Sequence, residues 1–93
     1  MIIGVLRLEI FLPYSRSLKD KRKSVKGFRD RVRNRYNAAV AELDFQDKWQ
    51  RTVLGVVTLN SQPRLVDDLL NRILADAHNL EDCEVTSHEI SYR

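Results

Sequence analysis

Ninety-three residues, 43% of them hydrophobic, supply one buried core and exclude a second, because a chain this short buries only about two thirds of its unfolded surface. The net charge of +3 conceals an asymmetry, since Arg16 to Tyr36 carries +8 and the remainder −5. A positive segment on an otherwise acidic body favours a polyanionic partner, and a single cysteine, Cys83, excludes an internal disulfide and a thiolate metal cluster.

Met1 to Leu12 alternates, with Ile2, Leu6, Leu8, Ile10 and Leu12 on one face and Ile3, Val5, Arg7, Glu9 and Phe11 on the other, which predicts a strand. Its apolar start lacks a basic n-region and a small-residue cleavage site, and Arg7 and Glu9 interrupt it well before a bilayer span of about 20 residues. A cytoplasmic location is expected. Pro13 removes a ladder donor and ends the strand.

Ser17 to Tyr36 holds nine Lys or Arg and two acids while keeping apolar residues at Leu18, Val25, Phe28, Val32 and Tyr36. At about 100° per residue these five fall within about 80° of arc, predicting a helix with one core-facing stripe. Ser17 is its cap and Asp20, three residues on, resembles the second half of a capping box. Lys19, Arg22, Lys26, Arg29 and Arg33 line one flank beside the stripe. Lys21 falls inside the apolar arc, so its ammonium must snorkel or find a carboxylate. Gly27 costs a helix interior about 1 kcal/mol relative to Ala, which points either to a close backbone approach or to a tolerated weakness, and its place on the polar side leaves open an approach to a ligand.

Ala38 to Phe45 reads as a weaker strand, Gln46 to Lys48 as a turn, and Trp49 to Leu59 as a central strand apolar on both faces. The spacing predicts a second helix begun by Ser61 and Pro63 and carried by Leu65, Val66, Leu69, Leu70, Ile73, Leu74 and Ala77. Glu84 to Tyr92 completes the pattern as an edge strand. The order βαββαβ implies one α+β domain over residues 1–93, a ferredoxin-like sandwich of a four-stranded antiparallel sheet with two helices on one face. The other face would carry Ile3, Val5 and Phe11 with either Val53 and Val57 or Leu54 and Val56, enough apolar surface to predict a homodimer.

A row of cations on a rigid helix suits phosphate backbone, so RNA or a ribosomal surface is the partner the charge favours. Sequence-specific reading is not expected: the exposed strand positions lack the stacking aromatics of an RRM, and no GxxG loop occurs. Trp49 reads as a core or interface anchor. Glu42, Asp44 and Asp47 surround the hairpin, and alternation places Glu42 and Asp44 on one strand face, where they could hold Mg²⁺ or support an enzyme. No His, Lys or Ser is spaced to act with them, and His78 and His88 flank Cys83 at five residues each, which fits no zinc or nucleophile pattern. No catalytic residue, metal or cofactor is therefore expected, and the chain reads as a binding protein. A protein-interaction module using the open sheet face is the alternative.

The segments Met1-Ile2-Ile3-Gly4-Val5-Leu6, Ser17-Leu18-Lys19-Asp20-Lys21-Arg22, Val40-Ala41-Glu42 and Gln46-Asp47-Lys48-Trp49-Gln50-Arg51 together resemble the YlxP-like family of small bacterial proteins. The resemblance implies a ferredoxin-like fold and an unknown function, and it brings no catalytic residues. Members are often encoded beside translation-initiation and ribosome-maturation genes, which implies an association with the ribosome or RNA. The matching positions cluster at one helix start and one hairpin, whereas Lys26, Arg29 and Arg33 lie outside them. If those two places adjoin, Lys21 or Arg22 would pair with Glu42 or Asp47.

Overall fold

The computed structural model describes residues 1–93. Its elements are β1 (Ile2–Phe11), α1 (Leu18–Arg35), β2 (Ala39–Asp44), β3 (Arg51–Asn60), α2 (Pro63–His78) and β4 (Glu84–Tyr92). The strands form one antiparallel sheet in the order β2-β3-β1-β4, so the apolar runs of β1 and β3 take the centre and the weakly alternating strands take the edges. The fold is ferredoxin-like.

Leu6, Leu8 and Ile10 of β1 and Leu54 and Val56 of β3 face the helices, where they meet Phe28 and Val32 of α1 and Val66, Leu70 and Ile73 of α2. The open face therefore receives Val53 and Val57, one of the two arrangements the alternation allowed. Gly4 lets α2 pack directly over β1, because a Cβ there would collide with the side chains of Val66 and Leu70.

Three local readings need correction. Ser61 is not the cap of α2; Gln62 occupies that position, where the sequence offered Ser61 as the cap candidate, without a side-chain bond, and Asn60 Oδ1 accepts from Gln62 N–H at 3.1 Å. Trp49 does not anchor the core, because it is 56% exposed in the loop before β3, and its exposure bears only on that half of the core-or-interface reading. Glu42 and Asp44 do not share a face: a bulge in β2 sets Glu42 opposite Leu54 but Asp44 opposite Val53. A bulge re-aims the residues beyond it, and here Glu42 turns toward α1 while Leu43 lies over Gly55 on the open face.

Candidate nucleic-acid interface

Helix α1 is anchored before it is charged. Ser17 Oγ accepts from Asp20 N–H at 3.0 Å, and Asp20 Oδ2 in turn accepts from Arg16 N–H at 3.0 Å, one residue earlier than a capping box would have it. Phe28 and Val32 are buried and Val25 and Tyr36 pack partly against the core, so the stripe holds the helix by its inner face. The far end is tied to α2 by Tyr36 Oη donating to Asp76 Oδ2 at 2.6 Å, a bond that raises the phenol's pKa above its ordinary value.

Lys21 comes inward with that stripe and is fully buried. Its Nζ lies 3.0 Å from Glu42 Oε2 and donates to the carbonyls of Phe45 at 2.6 Å, Gln46 at 3.4 Å and Arg51 at 3.4 Å. Glu42 Oε2 also accepts from Thr52 Oγ1 at 2.5 Å. An isolated buried ammonium costs several kcal/mol, and only a carboxylate plus further acceptors offsets it. The same ammonium holds the tip of the β2–β3 hairpin, where Phe45 sits at φ 61°, a left-handed conformation that a residue with a Cβ rarely adopts. Gln50 closes the assembly from the other side, its Nε2 donating to the carbonyls of Pro13 and Ser15 at 3.2 Å each. The helix start and the hairpin are thus adjacent, and Lys21 with Glu42 is the pair that joins them.

The basic flank is divided. Lys19, Arg22 and Arg33 are exposed and have no carboxylate within 4.0 Å. Lys26 is exposed but bonded to Asp30 at 2.7 Å, one turn on, and that bond holds the Asp30 carboxyl below its usual range. Arg29 is half-buried, its Nε shielded and without a hydrogen-bond partner, 4.0 Å from Asp30. Asp30 is the acid that answers both, and its i+4 spacing from Lys26 is the sequence signal for that pairing. Three of the five flank cations stay unpaired.

At the hairpin, Glu42 is engaged by Lys21 and Thr52, and Asp44 Oδ1 accepts from Phe45 N–H at 2.7 Å. No three His, Cys, Asp or Glu side chains gather as a metal-ligand group. The rings of His78 and His88 meet edge-on, 6.4 Å apart at 87°, a contact their sequence separation did not suggest. No helix is long and apolar enough to cross a membrane.

On the open face Arg51 bonds Glu9 at 2.6 Å and stacks over the Phe45 ring at 4.1 Å. Beyond that polar line lie exposed apolar side chains, Leu43 at 53%, Val57 at 40% and Leu59 at 54%.

The family model described as "Protein of unknown function (DUF503)" matches residues 3–90. The uncharacterized protein YlxP of Bacillus subtilis (strain 168) is 33% identical over 85 residues, covering 91% of this chain and 92% of that protein.

Proposed function

Because the chain belongs to the DUF503 family of unknown function, we propose from its charge and geometry that it is a non-catalytic cytoplasmic protein that binds structured RNA or a ribosomal surface through α1. The observation that carries this reading is the set Lys19, Arg22 and Arg33, exposed and unpaired on one helix whose other side is fixed in the core. Fourteen residues separate the first from the last, roughly 21 Å along the axis, enough to touch several phosphates. Lys26 and Arg29 contribute less, because Asp30 answers part of their charge. With three free cations, log affinity should fall against log salt with a slope of about 2 to 3, from roughly 0.7 to 0.9 per neutralised phosphate. Arg22→Glu with Arg33→Glu should abolish co-sedimentation with ribosomes at low salt, and unchanged co-sedimentation would reject the reading.

A second reading is a homodimer formed through the open sheet face. Leu43, Val57 and Leu59 favour it, since three large apolar side chains lie exposed on one face. The two readings use opposite sides of the molecule and do not exclude each other.

A further inference from the structure

A cleft of about 440 Å³ runs between α1 and the α2–β4 connection, on the side of α1 away from Lys26 and Arg33. Leu12, Phe28, Leu54 and Leu80 give it an apolar lining, while Tyr14 and Ser24 add hydroxyls. Ser24 Oγ donates to Asp82 Oδ2 at 3.2 Å, linking the helix to the connection. This volume lies in the lower part of the range of small-ligand sites, which combine an apolar lining with a few polar groups.

One wall is the row Lys23, Gly27 and Arg31, all on α1 and all lining the cleft. Four residues separate each from the next, or about 6 Å along the axis, so two cations bracket a bare stretch of helix. Neither cation has a carboxylate within 4.0 Å. Packing does not require the glycine, because a Cβ at position 27 would meet nothing within 4 Å. Helix formation opposes it by about 1 kcal/mol. A missing side chain between two unpaired cations, at the edge of an apolar hollow, clears a path for a ligand with an anionic group and a flat, largely apolar body.

Resting on the RNA reading, we infer that this cleft takes one unstacked nucleotide, its base against Tyr14, Val25 and Leu80 and its phosphate over Gly27 between Lys23 and Arg31. Lys19 continues the same four-residue row one turn before Lys23, so a strand following that row would carry its backbone across Gly27. Single-stranded RNA can splay a base into such a hollow, and a duplex cannot.

The test compares a 12-nucleotide single-stranded RNA with a 12-base-pair RNA duplex, for the natural chain and for Gly27→Leu, which fills the mouth and favours the helix. The natural chain should bind the single strand about tenfold tighter, and Gly27→Leu should bind both alike at the affinity of the duplex. Equal affinities in the natural chain, or a preference surviving in Gly27→Leu, would overturn the cleft while leaving the helix reading intact. Should neither RNA bind, the helix reading fails and free nucleotides decide the cleft. Shifts of the Val25 and Leu80 methyl resonances by millimolar AMP or UMP, lost in Gly27→Leu, would then support it, and no shift would overturn it.

Discussion

Lys21 Nζ lies 3.0 Å from Glu42 Oε2, joining the first turn and a half of α1 to the strand that leads into the hairpin, and the lysine is fully buried while the carboxylate keeps one side toward solvent. Three backbone carbonyls complete the ammonium's shell. This arrangement explains why the positions that carried the family resemblance sit at a helix start and a hairpin: they build one corner of the fold. It also removes Lys21 and Glu42 from the groups free to meet a ligand.

Lys21→Met should destabilise the fold by roughly 3–5 kcal/mol, the range for removing one partner of a buried ion pair. Lys21→Met with Glu42→Leu should recover only part of that, because the carbonyls of Phe45, Gln46 and Arg51 would still lack their donor. Urea midpoints of the two variants measure the difference. A double variant as stable as the natural chain would show that the carbonyl bonds contribute nothing.

Tyr36→Phe should cost about 0.5–1.5 kcal/mol at neutral pH through the lost bond to Asp76. The hydrogen bond that the phenol donates to Asp76, together with burial, raises its folded pKa above the ordinary value of 10.0. The neutral phenol is therefore favoured by folding, and its contribution is whole below pH 10 and disappears as pH climbs through the folded value. Denaturation of both chains at pH 8 and in stronger alkali should show the gap between them closing.

Cys83 should resist alkylation. Burial, aided by the nearby Asp82 charge, pushes its thiol up to about 11. At pH 8 the thiolate is scarcer than in an exposed cysteine by a factor on the order of a hundred, so iodoacetamide should react more slowly in proportion. The rate should climb toward pH 11. A rate at pH 8 matching that of the urea-unfolded chain would contradict its half-buried placement.

Val57→Lys places a charge in the middle of the apolar part of the open face without touching the core, since Val57 is directed away from both helices. Under the homodimer reading, the natural chain sediments as a dimer at tens of micromolar and this variant as a monomer of unchanged helicity. A monomeric natural chain at that concentration removes the reading.

Periodicity and local chemistry were sufficient for the architecture. Two-residue alternation marked β1, the arc of Phe28, Val32 and their neighbours marked α1, and Ser17 with Asp20 marked where it begins, because each signal depends on residues only a few positions apart. The wheel placed Lys21 inside the apolar arc, which leaves its ammonium either to snorkel or to find a carboxylate, and the fold selected the second by bringing Glu42 to it. What sequence could not settle lies across the fold. Either face of β3 was apolar enough for the core, and the helices decided it by packing on Leu54 and Val56. The bulge that parts Glu42 from Asp44 arises from pairing with β3, where one extra residue shifts the register and alternation loses its meaning. The cleft beside Gly27 exists only because α1 and the connection after α2, some fifty residues apart in the chain, border the same hollow. Local periodicity says which way a side chain points, but only the docked helices and paired strands determine what it meets there.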